Sequence, residues 1–309
     1  MPEKPPFHKF LQSFTPFYIN NEFDEQVLEA INDEVIKYKD LLHSLSTAEG
    51  IEEFIKTHKN SLQIILSLVD LSLERFKRII TTIRIKKGDV VSTEWGVVRI
   101  RKEILKNADY KRYILDLFLN GSRSEIGANI PSYYLNNIKL DADSIMKLSS
   151  DFYLQRILKK VGDGKYNNDV GDKVENAIAN ELEKIKVKYG ITFAREKFVP
   201  WIKRNMDFCI PNEQDPYVII ESSFQVTTGS GQTTKRNDEV KTAAVITDHN
   251  IQNDKQIAFV NLCDGAGWIA RQSDLKKIYA CSNYVINLNT LNLLEEIILE
   301  HVPPKYITR

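Results

Sequence analysis

Apolar residues in the second half of the chain follow a strand pattern. Residues 205–210 and 217–224 are rich in β-branched and aromatic side chains, and turn formers at 211–216 separate them, which predicts a hairpin. Residues 256–262 and 283–288 predict two more strands. Helical spacing predicts accompanying helices over residues 170–188, 235–247, 272–280 and 291–300. This alternation predicts an α/β fold, a mixed central sheet flanked by helices.

The first part of the chain has a helical pattern instead. Apolar residues recur at near-helical spacing over 23–45, and residues 51–83 hold enough leucine and isoleucine for one or two core-facing helices. Turn formers at 161–169 predict a linker. We therefore expect a mostly helical N-terminal domain over residues 1–160 and an α/β domain over residues 161–309.

Two segments of the N-terminal half are candidates for DNA contact. Residues 94–100 predict a short strand or hairpin, and the nearby Arg99, Arg101 and Lys102 fit either a DNA backbone contact or a solvated charged face. Residues 122–138 faintly resemble a helix-turn-helix, although the turn is short and a proline would have to start the second helix. The N-terminal domain is thus a candidate for DNA recognition or dimerisation.

Asp207 and Glu221 are the main candidates for chemistry. They lie fourteen residues apart in the two hairpin strands, and carboxylates are rarely buried unless they are paired or bound to a metal. A hard cation such as Mg²⁺, which takes carboxylates, water and phosphate oxygens, is a natural partner. The alternative is that Asp207 forms a salt bridge and Glu221 ends its strand at the solvent edge.

Further polar residues surround this pair in the sequence. Alternation along a strand places Glu221, Ser223 and Gln225 on one face. Glu175 falls on the apolar stripe of the helix 170–188, where an acid is unexpected; it could instead lie at the stripe's edge in an ordinary surface pair. These positions add to a polar cluster around the two carboxylates.

The glycine-containing loop 227–235 precedes a predicted helix. Its glycines and exposed amides suit phosphate oxygens, but it lacks the P-loop pattern, and a flexible loop is the plain alternative. Residues 264–268 follow an apolar strand, and their glycines permit a tight turn. Trp268 is expected in the core more than on DNA.

Composition excludes several classes of protein. Lysine plus arginine and aspartate plus glutamate each number 42, so no net charge draws the chain to nucleic acid, although a basic cleft is still allowed. Three scattered cysteines and five histidines fit neither a disulfide framework nor a zinc site, and they suit a reducing cytoplasm. No transmembrane run or signal peptide is apparent.

Three segments from Val170 onward resemble one nuclease family. They are the helix motif Gly171-Asp-Lys-Val-Glu175-Asn176, the strands around Asp207 and Glu221 with Gly229-Ser-Gly231 and Lys235, and Asp264-Gly-Ala-Gly-Trp268. In this order they resemble the DpnII/MboI-type type II restriction endonucleases, a subgroup of the PD-(D/E)XK nucleases. The chain departs from the PD-(D/E)XK pattern at Ser223, where a lysine is expected.

The resemblance implies a PD-(D/E)XK core and Mg²⁺-dependent hydrolysis of double-stranded DNA. It implies that Asp207 and Glu221 hold Mg²⁺, that Glu175 supports it through water, and that Lys235 or Gln225 orients the attacking water. Lys241 is a less suitable replacement for the missing lysine. Contacts with DNA are implied for Ser223, Gly229, Ser230, Gly231 and Arg236.

The resemblance also implies a biological setting. It implies a short palindromic site, GATC or a close variant, read by a homodimer, and a DNA methyltransferase in the same system. Two other functions remain open at this point. One is a repair-type nicking nuclease of the same fold; the other is a catalytically degenerate DNA-binding module, which Ser223 favours.

Overall fold

The computed structural model describes residues 3–89, 93–135, 138–142, 145–146 and 150–308. In chain order the helices are α1 Phe7–Gln12, α2 Asn21–Leu42, α3 Ala48–Thr57, α4 Ser61–Leu68, α5 Leu73–Lys86, α6 Val97–Lys106, α7 Ala108–Asn120, α8 Ser132–Leu135, α9 Asp151–Tyr189, α10 Ser230–Asn253, α11 Ala266–Ala270, α12 Gln272–Cys281 and α13 Leu293–His301. The strands are β1 Ala194–Val199, β2 Arg204–Ile210, β3 Val218–Phe224, β4 Ala258–Asp264 and β5 Tyr284–Ile286. Over the described ranges, no helix has the length and apolar character needed to cross a bilayer.

The chain divides into two compact units. One comprises residues 21–164, and the other comprises residues 165–309 together with residues 1–20. The described part of the first unit is helical, and its core is built from leucine, isoleucine and aromatic side chains. The second unit contains the sheet. The assignment of separate functions to residues 1–160 and 161–309 stays a prediction.

The sheet is mixed, as the strand pattern predicted. Its strand order is β1-β2-β3-β4-β5. The β1–β2 and β2–β3 pairs are antiparallel, whereas the β3–β4 and β4–β5 pairs are parallel. The sequence interpretation missed β1, because its Arg-Glu-Lys centre is polar and largely exposed. Charged residues are common on edge strands, where they discourage pairing with other chains.

Side-chain alternation gives each face of the sheet its own core. Ile220 and Phe208 pack with Ile178 of α9 and Ile298 of α13. On the opposite face, Ile219, Cys209 and Phe259 pack with Ala243 and Ile246 of α10. Since residues two apart on a strand share a face, Asp207 and Glu221 belong to the face that α10 covers.

The predicted linker at 161–169 is wrong. These residues lie inside α9, which runs without a break from Asp151 to Tyr189. Leu154 and Leu158 are buried in the core of the helical unit, and Val174 and Ile178 are buried in the sheet unit. A helical glycine costs only about 1 kcal/mol relative to alanine, so packing on both sides of the stretch outweighs its turn formers.

The predicted strand at 94–100 is also wrong. Val97 begins α6, because Ile100 and Ile104 repeat at helical spacing and are buried. Arg99 stacks on Trp95 at 4.6 Å. The guanidinium of Arg101 donates to the carbonyls of Ile55 and Lys56 at 2.8 and 2.9 Å. Two of the basic residues considered for DNA contact therefore serve packing within the helical unit.

The helix-turn-helix interpretation of 122–138 does not fit the described residues. The segment forms 3-10 turns at Gly121–Arg123 and Gly127–Asn129, followed by α8, which has a single turn. Residues 136 and 137 lie outside the described part. A β-carbon on Gly127 would lie 2.4 Å from the carbonyl oxygen of Ser122. This close backbone packing replaces the two long helices that a recognition motif needs.

The N-terminal segment packs against the sheet unit. Phe10 and Phe14 lie in a buried cluster with Trp268, Leu275 and Ile278. The sheet unit is thus completed by residues from both ends of the chain.

Candidate active site

Asp207 and Glu221 lie where β2 and β3 separate. The described ladder between these strands ends at the pair Phe208 and Ile220. At the next position, the Asp207 N–H donates to Glu221 Oε1 at 3.4 Å, and the Ser222 N–H donates to Asp207 Oδ2 at 2.7 Å. Each carboxylate thus accepts a hydrogen bond from the neighbouring strand. This exchange holds the two acids next to each other at the end of the hairpin.

Glu221 is buried and paired with two cations. Its side chain is 1% exposed, so it is not a strand end at the solvent edge. Lys235 Nζ and Arg204 Nη2 donate to its Oε2 at 2.7 and 2.9 Å. Asp207, by contrast, forms no salt bridge with any residue in the described ranges and remains partly exposed. The salt-bridge alternative therefore applies to Glu221 and not to Asp207.

Lys235 reaches Glu221 because α10 begins earlier than predicted. The helix starts at Ser230, where the Gln232 side chain accepts a hydrogen bond from the Gly229 N–H at 3.1 Å. Lys235 therefore lies in the second helical turn, above the sheet. Burial alone lowers the pKa of Lys235, but the charges of Glu221 and Glu239 outweigh it and raise the pKa above its ordinary value. The side chain is a fixed cation.

Glu239 is a member of the cluster that the sequence interpretation missed. It is 0% exposed, and its Oε1 lies 3.2 Å from Lys235 Nζ and 3.9 Å from Arg204 Nη1. Neither oxygen accepts a hydrogen bond within the described chain. Burial raises its pKa to about 7 despite the opposing charge of Lys235. The available signal was the spacing 239, 242, 243, 246, which puts this acid on the buried stripe of α10.

Glu175 lies on α9 and is paired with β1. Its Oε2 accepts from Arg195 Nη2 at 3.0 Å, and Arg195 Nη1 also donates to Asn176 at 2.7 Å. Partial burial raises the pKa of Glu175, and the charge of Asp207 raises it further, against the effect of Arg195. Glu175 thus forms an ion pair, as the alternative interpretation predicts. The charge of Asp207 also acts on it.

Ser223 lies on β3, two residues after Glu221, and Gln225 directly follows the end of that strand. Ser223 is 8% exposed, and its hydroxyl accepts from Gln225 Nε2 at 3.3 Å. Within the described ranges, no hydrogen bond joins either side chain to Asp207 or Glu221. Gln225 is partly exposed, whereas burial keeps Ser223 away from solvent.

The predicted phosphate loop is shorter than expected. Gly229 and Gly231 are exposed, and Ser230 begins α10, so the free amides of a helix N-terminus lie at the surface. Arg271 donates to the Gly229 carbonyl at 2.8 Å. Arg236 lies 3.4 Å from Asp274 and is mostly buried, so its guanidinium is held inside the protein.

The Asp264 to Trp268 turn fixes the end of β3. The Asp264 carboxylate accepts from the N–H groups of Thr15, Gly265 and Leu288 at 2.6, 2.8 and 3.0 Å. Its burial raises its pKa against the effect of these bonds. Gly265 has φ +100°, and a β-carbon there would lie 2.3 Å from the Gln225 carbonyl oxygen. Trp268 is 0% exposed, which confirms its packing role.

The donor set suits a divalent cation with two protein ligands. Asp207 Oδ1 accepts no hydrogen bond in the described chain, and Glu221 Oε1 accepts only the long bond from Asp207. Among the described residues, no group of three or more metal-binding side chains is arranged around one point. Mg²⁺ commonly takes one or two carboxylates and completes its shell with water and phosphate oxygens. Asp207 and Glu221 fit that requirement, and Glu175 fits contact through water.

Comparison with known proteins identifies the region that contains these residues. The model of the DpnII restriction endonuclease family matches residues 145–298. This range covers the whole of α9, the sheet and α10. A search of curated proteins found no match to the chain.

Proposed function

Because residues 145–298 match the model of the DpnII restriction endonuclease family, we propose that the protein is a type II restriction endonuclease. It hydrolyses phosphodiester bonds in double-stranded DNA with Mg²⁺, on a PD-(D/E)XK core. One observation supports this most strongly: Asp207 and Glu221 meet at the end of the β2–β3 hairpin, and Lys235 bonds to Glu221 there.

Asp207 and Glu221 hold the cation in this proposal. Glu175 supports it through water and adds a negative charge that interacts with Asp207. When bound, Mg²⁺ supplies Lewis acidity, which offsets phosphate charge and makes a bound water more acidic.

Lys235 acts as a donor and not as a base. The charges of Glu221 and Glu239 keep it protonated, so its ammonium group donates hydrogen bonds to the attacking water or to a phosphate oxygen. A fixed cation aimed at developing negative charge stabilises the transition state. Gln225 is the second candidate to orient the water, since its amide is partly exposed.

The reaction is an in-line displacement at phosphorus. The water oxygen forms a bond to phosphorus, and the bond from phosphorus to the 3′ oxygen breaks. The proton released by water passes to solvent, and the 3′ oxygen takes one up. The products are a 5′-phosphate and a 3′-hydroxyl.

The exposed N-terminus of α10 provides phosphate contacts. Ser230 and Gly231 offer backbone amides there, and Gly229 lies beside them with its own N–H bonded to Gln232. Arg236 and Ser223 contribute less directly, because both are mostly buried. The helical unit is proposed to serve recognition or dimerisation.

The proposed target is a short palindrome, GATC or a close variant, cut by a homodimer with one active site for each strand. A DNA methyltransferase of the same system would protect the host's own sites.

A plasmid assay tests the proposal. Unmethylated and adenine-methylated plasmids are incubated with Mg²⁺ or with EDTA, and discrete linear fragments that require Mg²⁺ are expected. Nicked circles alone would favour a repair-type nuclease, and binding without cleavage would favour a degenerate DNA-binding module.

Asp207→Asn tests the site itself. The asparagine oxygen still accepts the Ser222 N–H bond, so the fold is retained while the cation ligand loses its charge. We expect cleavage to fall on the order of 100-fold or more. The control Asp248→Asn removes an exposed charge from α10 and should cleave at the wild-type rate. Full activity in Asp207→Asn would overturn the assignment.

A further inference from the structure

Glu239 is buried beside two cations, Lys235 and Arg204, but forms no hydrogen bond with either. Its side chain is 0% exposed, yet neither carboxylate oxygen accepts a hydrogen bond within the described chain. Burying a carboxylate without hydrogen bonds is costly. Such a group suggests a second state of the protein in which its oxygens are used.

Glu221 needs a second state of its own. In this structure Lys235 and Arg204 both donate to its Oε2, and Asp207 N–H donates to its Oε1. Both cations occupy Oε2, so Oε1 is the oxygen that remains for a divalent cation, only one carboxylate carbon away from the two positive groups. A cation beside Glu221 would also repel the two positive side chains. Repulsion from the bound cation would therefore favour movement of Lys235 away from Glu221.

Lys235 lies between the two acids. Its Nζ is 2.7 Å from Glu221 Oε2 and 3.2 Å from Glu239 Oε1. Glu239 is one helical turn from Lys235 on α10, so a small rotation of the lysine side chain brings the ammonium group into hydrogen-bonding geometry with it. Arg204 has another acceptor as well, since its Nη1 donates to Thr242 at 3.0 Å.

We propose that Glu239 is a positioning residue that accepts Lys235 from Glu221 when Glu221 binds a divalent cation. Lys235 then stays in the site, charged and directed toward the reacting phosphate, while Glu221 is free to act as a ligand. This inference rests on the proposed function, because it requires Glu221 to bind the cation.

Cation binding in the absence of DNA provides the first test. Mg²⁺ is titrated calorimetrically into the full-length wild type, Glu239→Met and Asp238→Asn. Methionine keeps the length of the side chain but accepts no charge-assisted bond, so Lys235 stays on Glu221. We expect Mg²⁺ affinity to fall about 10-fold. Asp238→Asn removes a charge from the adjacent position and should stay within about two-fold of wild type. Equal affinities for the two variants would overturn the proposal.

A double variant separates positioning from direct ligation. In a Lys235→Met background there is no ammonium group to transfer, so adding Glu239→Met should change Mg²⁺ affinity by less than about two-fold. A further loss as large as the one in the single variant would show that Glu239 acts on the cation directly, and would overturn the positioning role.

The wild-type protein allows a test in which a variant serves only to assign one signal. Lysine ammonium groups are followed by heteronuclear NMR, with the Lys235 signal assigned by its absence in Lys235→Met. If Glu239 takes over the ammonium group, the signal shifts but persists when Mg²⁺ is added. Disappearance of the signal through fast exchange with water would contradict the transfer.

The outcomes distinguish this inference from the proposed function. If the wild type neither binds Mg²⁺ nor cleaves DNA, both fail. If it binds and cleaves while Glu239→Met behaves like Asp238→Asn, only the role of Glu239 fails.

Discussion

Lys235 donates a 2.7 Å hydrogen bond to Glu221 although it lies fourteen residues further along the chain. The position two residues after Glu221 is occupied by Ser223, which bonds to Gln225 instead. Helix α10 packs across the sheet. It thus brings to Glu221 a lysine that β3 itself does not supply.

Replacing Lys235 should slow the chemical step. Lys235→Met removes the cation next to Glu221, and we expect the single-turnover cleavage rate to fall on the order of 100-fold. The matched control is Lys241→Met, which removes an exposed lysine from the same helix and should leave the rate unchanged. Cleavage by Lys235→Met at the wild-type rate would refute the role of Lys235.

Glu221→Ala should destabilise the fold as well as stop cleavage. The substitution removes the carboxylate to which Arg204 and Lys235, 29% and 23% exposed, both donate hydrogen bonds, and it leaves them only the weaker ion pairs with Glu239. Breaking a mostly buried ion pair costs about 3 kcal/mol. Urea denaturation measures the loss, and Glu213→Ala in the β2–β3 turn is the control. Unchanged stability would show that the cations find other partners at no cost.

The stability contributed at Glu239 should depend on pH. Burial raises its pKa from 4.5 to about 7, so the folded protein favours the protonated form. The contribution is complete below pH 4.5 and is lost as pH rises through 7. Glu221, Lys235 and Arg204 face this group, so the difference between wild type and Glu239→Gln isolates its titration. Stability of the wild type relative to Glu239→Gln should fall between pH 5 and 8, as measured by denaturation at each pH. A constant difference would refute the shift.

Asp264→Ala should loosen the N-terminal segment. The carboxylate holds three backbone N–H groups, including that of Thr15, and leaving them without an acceptor should cost about 3 kcal/mol. We expect a lower midpoint in urea and faster proteolysis near Thr15. Asp248→Ala, at an exposed position of α10, controls for loss of charge. Equal proteolysis of the two variants would argue against this anchor.

Local sequence patterns predicted the elements that carry their own signal. The apolar runs of β2, β3 and β4 and the helices α12 and α13 lie close to their predicted positions. The edge strand β1 was missed, because the run of charged residues Arg195, Glu196 and Lys197 interrupts the alternation of apolar and polar positions. Residues 161–169 were misread since packing at distant positions decided their conformation.

The site was predictable only in part, because some of its contacts also depend on packing between distant parts of the chain. Asp207 and Glu221 stand out as acids in apolar strands, and Glu175 stands out on a helical stripe. Glu239 follows the same rule on α10, but it becomes visible only when the helix is known to pack on the sheet. The contact between Lys235 and Glu221 depends on where α10 begins, and the Gln232 side chain sets that start through a bond to the Gly229 N–H.

The contacts of the N-terminal segment limit when it can fold during synthesis. Thr15 leaves the ribosome long before its partner Asp264, which lies 249 residues later. Phe10 and Phe14 likewise cannot pack against Trp268 until that residue has been synthesised. Contacts between distant residues form late in folding. A growing chain therefore cannot close the cluster that supports the end of β3 until most of the protein has been made.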